Sequence, residues 1–214
     1  MDINRAEFEV EFRCHFDGPE DAYRTLPFLR SCLSRRVPWR GTYYGLELFR
    51  SGKVLRMSEV FEDNMTRYYM AWKGPDTGNF CNIRREMEEI IGEDTAGSPI
   101  LKMLGGKADI KSKDEAVREL EHLGHHPFMS WSGVDSLGYY DTYDIKVKLM
   151  SCPILKWPWI VEIEKMAATE QDAHRCEEEL YELCQKLRLH EQIFKEEPPQ
   201  LLYEKVFGGR TQID

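Results

Sequence analysis

The chain has 214 residues, of which 42% are hydrophobic and 12% aromatic; this is enough apolar material for a buried core and argues against wholesale disorder. Its 29 lysines and arginines stand against 38 aspartates and glutamates, which gives a formal net charge of −9. That acidic excess argues against a broad nucleic-acid binder or a membrane-surface binder, because both classes carry a basic excess.

The cysteines and the N-terminal residues indicate a reducing compartment. Six cysteines are scattered without a CxxC pair, a distribution typical of free thiols rather than of a disulfide framework or a zinc site. The first residues are charged, unlike a secretory signal peptide, and no apolar run approaches the roughly 18 residues of a membrane span. We therefore expect a cytoplasmic protein, folded as one domain over residues 1–214.

The first predicted strand comprises residues 7–13, where apolar and charged side chains alternate with period two. Phe8, Val10 and Phe12 share one face, as expected for a strand that packs on a core. The opposite face carries only charged residues: Glu7, Glu9, Glu11 and Arg13.

Helices are predicted at three places. Residues 19–33 form a weakly amphipathic segment. Residues 113–123 follow Ser112, which forms a capping box with Glu115, and residues 170–187 carry apolar side chains at helical spacing.

The same period-two alternation predicts further strands at residues 42–50, 53–60, 66–73, 80–88, 128–133, 143–150 and 157–165. A basic cluster ahead of them, formed by Arg35, Arg36 and Arg40, is predicted to lie in a solvated loop. These elements predict an α+β fold with about eight antiparallel strands and helices at the connections.

Charged residues recur on the second face of these strands, where a simple sheet would show mixed polar residues. If the strands close into a barrel with this face inward, the interior holds glutamates beside lysines and arginines. Such charges need each other, water, a metal or a charged ligand, because uncompensated burial is costly. The patterns are Glu9-x-Glu11-x-Arg13, Arg84-x-Glu86-x-Glu88, Lys146-x-Lys148 and Glu162-x-Glu164, with Arg56 and Lys73 inside apolar strands.

This mixture of charges suits one kind of ligand. A triphosphate carries about four negative charges and needs several lysine or arginine donors around its oxygens. Paired carboxylates are hard oxygen ligands for Mg²⁺ or Mn²⁺. Metal and cations together stabilise the charge that develops in phosphoryl transfer.

The segment Glu9-Val10-Glu11-Phe12-Arg13 resembles the N-terminal ExExK signature of the CYTH superfamily, the triphosphate tunnel metalloenzymes. Further pieces follow in the family's order over roughly residues 7–190: Leu55-Arg56, Trp72-Lys73-Gly74-Pro75, Arg84-x-Glu86-x-Glu88, the helix at 113–124, Lys146 with Lys148, and Glu162-Ile163-Glu164. The resemblance implies an eight-stranded antiparallel β-barrel, the triphosphate tunnel, with peripheral helices.

The resemblance also implies roles for individual residues. Catalysis and the binding of Mg²⁺ or Mn²⁺ would fall to Glu9, Glu11, Glu162 and Glu164. Phosphate binding would fall to Arg13, Arg56, Lys73 and Arg84, with Lys146 and Lys148 as further candidates. Glu86 and Glu88 would support the site by orienting the basic residues or assisting at a metal.

The chain departs from the family pattern at several positions. Arg13 replaces the usual lysine, which keeps the charge but changes its geometry. Ser58 replaces the second arginine of the family's LRxR, and residues 128–133 offer no basic side chain. These departures predict fewer cations on one wall of the tunnel.

The implied function is metal-dependent hydrolysis of a small-molecule triphosphate: inorganic triphosphate, thiamine triphosphate or a nucleoside triphosphate, with an RNA 5′-triphosphate end as a further possibility. One alternative is a class IV adenylyl cyclase that forms cyclic AMP from ATP. Another is a non-catalytic module that binds polyphosphate or nucleotides. The sequence favours no oligomeric state.

Overall fold

The computed structural model describes residues 7–62, 64–92 and 97–208. Within these ranges the strands are β1 (Glu7–Phe16), β2 (Leu33–Tyr44), β3 (Val54–Glu62), β4 (Met65–Lys73), β5 (Asn82–Ile90), β6 (Pro127–Tyr140), β7 (Ile145–Ser151), β8 (Trp159–Ala167) and β9 (Ile193–Phe194). The helices are α1 (Pro19–Thr25), α2 (Leu29–Cys32), α3 (Leu46–Arg50), α4 (Pro99–Met103), α5 (Lys113–His122), α6 (Glu170–Leu187) and α7 (Pro198–Phe207), with a 3₁₀ turn at Asp141–Tyr143.

The strands form a closed antiparallel barrel. Their order is β5-β4-β3-β2-β6-β7-β8-β1, and a β1–β5 pairing closes the ring. β1 pairs with β5 from Glu7 to Glu11, and β9 then lies beside β1 at Arg13 and Cys14. The predicted eight-stranded antiparallel barrel with peripheral helices is therefore confirmed, with β9 added outside the ring.

The two faces of β1 have opposite environments. Val10, Phe12 and Cys14 point outward and are buried in a core shared with Leu180 and Leu183 of α6. Burial of side chains of this size stabilises the fold by roughly 1.5–3 kcal/mol each. The charged face of β1 consequently points into the barrel.

The remaining barrel wall is covered by other elements. α4 and α5 pack on β3 and β4, where Ile100 and Leu120 join Met57 and Met70 in a second core. α7 contributes the buried Leu202 to a third core, which lies among Trp39, Tyr43, Val54, Met129, Trp131 and Met150.

The prediction over residues 42–50 is wrong beyond Tyr44. The strand starts at Leu33, and Gly45 then adopts a left-handed backbone with φ 71°, so the chain leaves the sheet and forms α3. The loop predicted around Arg35, Arg36 and Arg40 is also wrong, because all three lie within β2.

The helices at residues 113–123 and 170–187 are confirmed. Ser112 Oγ accepts a hydrogen bond from the Glu115 amide at 3.3 Å, as the capping box predicts. The segment 19–33 divides into α1 and α2, and β6 runs beyond its predicted end. The short α4, β9 and α7 have no counterpart among the predicted elements.

All six cysteines are free, as predicted. No helix in the described ranges combines the length and the apolar composition that a membrane crossing requires.

Candidate functional site

A cavity of about 220 Å³ lies inside the barrel, and we call it the central cavity. One part of its wall is charged and another part is aromatic and aliphatic. The charged residues include Arg13, Arg56, Lys73, Lys148 and Glu162. The apolar wall comes mostly from β2, β3 and β6 and includes Trp39, Val54 and Trp131.

Glu9 of β1 and Lys73 of β4 form an ion pair in the barrel interior, where Lys73 lines the cavity. The Lys73 ammonium donates a hydrogen bond to Glu9 Oε2, and Lys73 Nζ lies 3.5 Å from Glu86 Oε1. Burial favours the neutral carboxyl, but the Lys73 charge outweighs it and holds the pKa of Glu9 below its usual value. Burial and the nearby Glu9 charge raise the pKa of Glu86 to about 8.

Arg13 is the centre of a second buried network. Its Nε donates to Glu162 Oε1 at 2.9 Å, its Nη1 donates to Asn82 Oδ1 at 2.8 Å, and its Nη2 donates to Glu11. Glu162 also forms an ion pair with Lys148. Burial opposes ionisation of Glu162, yet Lys148 and Arg13 hold the pKa of Glu162 far below its usual value.

Glu11 differs from Glu162 although both contact Arg13. Burial raises the pKa of Glu11 well above its usual value, and the charges of Glu9 and Glu162 add to that rise. Glu11 is only 1% exposed, so little water reaches it. This carboxyl is the one in the network that holds a proton most readily.

Glu164 and Lys146 lie toward a more exposed part of the interior face. Lys146 Nζ donates to Glu164 Oε1 at 2.9 Å, with half of the Lys146 side chain exposed. Burial raises the pKa of Glu164, and the neighbouring Glu9 carboxylate raises it further. Glu88 is also exposed and lies 4.0 Å from Arg56 Nη2.

Arg84 of β5 is buried and bound to the protein. Its Nη1 donates to the carbonyl oxygens of Gly52 and Gly74, at 2.8 Å each. Its Nε lies 2.8 Å from Oε1 of Glu197, a residue just ahead of α7. The structure thus places Arg84 beside the cavity with protein partners on both sides of its guanidinium.

Arg56 lies beside the aromatic wall. Its Nε has no hydrogen-bond partner within the described part of the chain. Burial disfavours the charge of Arg56, but Tyr43 and Glu88 outweigh it and hold the pKa of Arg56 above its usual value. The buried Ser58 lies two residues further along β3, on the same face. Trp131 Nε1 donates to the Tyr43 hydroxyl at 3.0 Å, which fixes both rings.

The predicted metal ligands are all carboxylates, the oxygen donors that Mg²⁺ and Mn²⁺ prefer. Among the residues that the structure describes, no three Asp, Glu, His or Cys side chains form a group that could hold an ion. The donor chemistry nevertheless fits, because burial and the charge of Glu9 raise the pKa of both Glu11 and Glu164, and a dication would favour the charged form of each carboxyl. In the structure, cationic side chains occupy the positions beside these carboxylates.

The barrel brings most of the predicted residues together. Glu9, Glu11, Arg13, Lys73, Arg84, Lys148 and Glu162 are buried or half-buried on the interior face, as are Arg56, Glu86 and Glu164, while Lys146 and Glu88 lie at exposed positions. Three further acidic residues line the cavity and were not predicted: Glu62, Asp135 and Glu197.

Two of the missed residues, Asp135 and Glu197, had weak signals in the sequence. Asp135 continues the alternation of Trp131 and Gly133 beyond the predicted end of the strand, so a longer β6 would have included it. Glu197 precedes Pro198 at the first turn of α7, a typical helix start that could have been recognised.

The similarity of this chain to known proteins lies in its fold. No family model matches the sequence, and no curated protein sequence matches it. A solved protein of Pyrococcus horikoshii is similar over 92% of this chain and 99% of its own, with 17% identity and a TM-score of 0.69. A candidate adenylate cyclase of Vibrio parahaemolyticus is similar over the same shares, with 16% identity and a TM-score of 0.66.

A third solved structure is a plant protein. The Hippeastrum protein, described as a candidate adenylyl cyclase with a dominant triphosphatase activity, matches 86% of this chain and 88% of its own, with 16% identity and a TM-score of 0.51. At such identities the likeness concerns the fold. The chain therefore has the fold of these solved proteins, the closed antiparallel barrel expected from its resemblance to the CYTH superfamily.

Proposed function

We propose that this protein binds a triphosphate-containing small molecule in the central cavity and hydrolyses it with Mg²⁺ or Mn²⁺. The observation that carries the proposal is the meeting of cations and carboxylates from several strands inside one closed barrel. A surface of the same composition would be solvated, whereas an enclosed set of charges is available to a small polyanion and its metal.

The phosphate groups would contact the cations, with Arg56 as the first contact. Arg56 has a guanidinium nitrogen without a hydrogen-bond partner in the described ranges, and its nearest carboxylate, that of Glu88, is 4.0 Å away. Lys73 and Lys148 would bind further oxygens once their carboxylates engage metal. Charge-assisted hydrogen bonds of this kind are about twice as strong as neutral ones.

The metal would be held by carboxylates of β1 and β8: Glu9, Glu11, Glu162 and Glu164. When bound, it supplies charge neutralisation and a more acidic water. The protein's own contribution is to exclude bulk water, to orient the phosphates through Arg56 and Arg13, and to provide a nearby proton acceptor. Glu164 is suited to that last role, because it lies at the more exposed part of the interior face.

The proposal is tested by phosphate release from inorganic triphosphate, thiamine triphosphate and ATP with Mg²⁺ or Mn²⁺. We expect Glu9→Gln and Glu164→Gln to abolish release, because each removes a carboxylate from the interior. Glu178→Gln on the exposed face of α6 is the matched control and should behave as the wild type. Full activity in both interior variants would contradict the proposed role of the carboxylates.

A class IV adenylyl cyclase is the second candidate function. The aromatic wall around Trp39 and Trp131 offers an apolar surface beside the charges, and the similar Vibrio parahaemolyticus protein is described as a candidate adenylate cyclase. Chromatography of products from ATP and Mn²⁺ distinguishes cyclic AMP from ADP and phosphate.

A non-catalytic binding module is the third candidate. It is favoured by Ser58, which provides a hydroxyl rather than a cation, and by the binding of Arg84 Nη1 to two backbone carbonyl oxygens. If calorimetry shows that tripolyphosphate binds, and no added divalent metal leads to phosphate release, the binding module is favoured over both enzymes.

A further inference from the structure

Glu197 brings a carboxylate into the central cavity from outside the barrel strands. It immediately precedes α7 and is only 6% exposed. Its Oε1 lies 2.8 Å from Arg84 Nε and 3.7 Å from Arg13 Nη2. Two cations predicted to bind phosphate, one from β5 and one from β1, thus face the same carboxylate of this chain.

The position of Glu197 is set by the packing of α7. Pro198 and Pro199 line the cavity beside it, and Leu202 is buried in the third core. The Tyr203 ring lies 5.3 Å from the Phe49 ring, between centroids, which ties the helix to α3. Because the helix is anchored by apolar contacts, the carboxylate is presented to the arginines without requiring their charge to hold the helix in place.

The contact between Glu197 and Arg84 is an ion pair with poor hydrogen-bond alignment. Although the atoms are 2.8 Å apart, neither Arg84 Nε nor Glu197 Oε1 has a hydrogen-bond partner of proper geometry in the described ranges. The Nη1 group of Arg84, by contrast, is well bonded to two carbonyl oxygens. The guanidinium is therefore fixed by the backbone, and its remaining edge is available to exchange one anion for another.

A carboxylate and a phosphate are alternative partners for the same guanidinium edge. We infer that Glu197 competes with the anionic ligand for Arg84 and Arg13 and thereby sets the affinity of the central cavity for polyphosphate. This inference rests on the proposed function, which it deepens by assigning an affinity-determining residue outside the family-like motifs. A bound polyphosphate displaces the Glu197 carboxylate from the two arginines, while α7 keeps its apolar contacts.

The experiment measures binding of inorganic tripolyphosphate to the full chain by calorimetry, both without metal and with Mg²⁺. Glu197→Gln keeps the size of the side chain and removes its charge, so we expect binding at least tenfold tighter than in the wild type. Glu196→Gln is the matched control: it removes the same charge from the adjacent, exposed position and should leave the affinity within twofold.

A second variant covers the case in which Glu197→Gln does not fold. Glu197→Asp keeps the charge but draws it back from Arg84, so it should bind tripolyphosphate several-fold more tightly than the wild type. If these variants bind tripolyphosphate as tightly as the wild type or more weakly, the inference is overturned and the proposed function stays intact. No binding by the wild type or by any folded variant overturns both.

Discussion

Glu9 and Lys73 form an ion pair across an intervening strand, since β5 lies between β1 and β4 in the barrel. The ion pair therefore joins two strands that are not hydrogen-bonded to each other. Lys73 also faces Glu86, so one ammonium lies beside two acidic side chains of the interior. This sharing makes Lys73 a residue on which both the stability and the charge of the central cavity depend.

We expect Lys73→Met to destabilise the protein by about 3–5 kcal/mol at pH 8, because it leaves buried carboxylates without a counter-charge. The measurement is urea unfolding of the wild type and the variant. Adding Glu9→Gln to Lys73→Met should recover part of the loss, as a double-mutant cycle would show for interacting residues. Strictly additive effects would show that the pair is not energetically coupled.

Arg56 should matter more for ligand binding than for folding. Arg56→Gln is expected to weaken tripolyphosphate binding at least tenfold, because it removes a charge whose nearest carboxylate is 4.0 Å away. Its effect on the urea midpoint should be small. Arg40→Gln, at an exposed position of β2, is the control in the same calorimetric titration. Equal affinities for all three proteins would exclude Arg56 from the phosphate site.

The stability of the metal-free protein should fall as the pH rises, in part through Glu86. Its pKa is raised from 4.5 to about 8 in the fold, by burial and then by Glu9. A carboxyl with a raised pKa keeps its proton in the folded state after the unfolded chain has lost it. Its favourable contribution is therefore complete below about pH 4.5 and declines until the pH passes about 8.

The check is the free energy of unfolding of the wild type and of Glu86→Gln between pH 5 and pH 8.5, in the presence of a chelator. The free energy of unfolding of Glu86→Gln should increase relative to that of the wild type as the pH rises. Glu88→Gln, two residues along β5 and exposed, provides the comparison. Parallel curves for wild type and Glu86→Gln would contradict the raised pKa of Glu86.

Metal binding should be visible without any assay of activity. If Mn²⁺ binds the carboxylates of β1 and β8, a concentration one hundredfold above its dissociation constant stabilises the protein by about 2.7 kcal/mol. Thermal unfolding with and without Mn²⁺ measures this, and Glu164→Gln should lose most of the increase in Tm. An equal increase in the wild type and in this variant would place the metal elsewhere.

Glu177 of α6 holds the segment that leads into β5. Its Oε1 accepts hydrogen bonds from the backbone amides of Asn79, Phe80 and Cys81, at 2.7 to 3.0 Å. Glu177→Gln should cost about 2–3 kcal/mol, because an amide oxygen is a weaker acceptor and the carboxylate is buried. Urea unfolding beside Glu178→Gln checks this, and equal stabilities would show that the segment is held by other contacts.

Much of the barrel could be predicted from local patterns. Glu9, Glu11 and Arg13 share a face because side chains alternate along a strand, and the structure places all three in the interior. The same reasoning placed Glu162 and Glu164 correctly on the inward face of β8. The limit of β2 was missed because a left-handed glycine, Gly45, converts an apparently continuous alternation into a strand followed by a helix.

The pairing of charges could not be predicted from the sequence. Lys148 pairs with Glu162 because β7 and β8 are neighbours in register, while Glu197 meets Arg84 because α7 packs beside the cavity. Such contacts join residues that are far apart in the chain, and period-two alternation carries no information on them. The predicted assignment of Arg84 to phosphate did not anticipate that an acidic residue of this chain would face it.

The outward apolar face and the inward charged face of β1 have a consequence for sequence divergence. The residues that hold the barrel to α6 are separate from those that face the central cavity, so the two faces of one strand are under different constraints. The solved Pyrococcus horikoshii and Vibrio parahaemolyticus proteins described above are only 17% and 16% identical to this chain. A substitution on the inward face of β1 therefore acts first on the charges of the central cavity, whereas one on the outward face acts on the packing against α6.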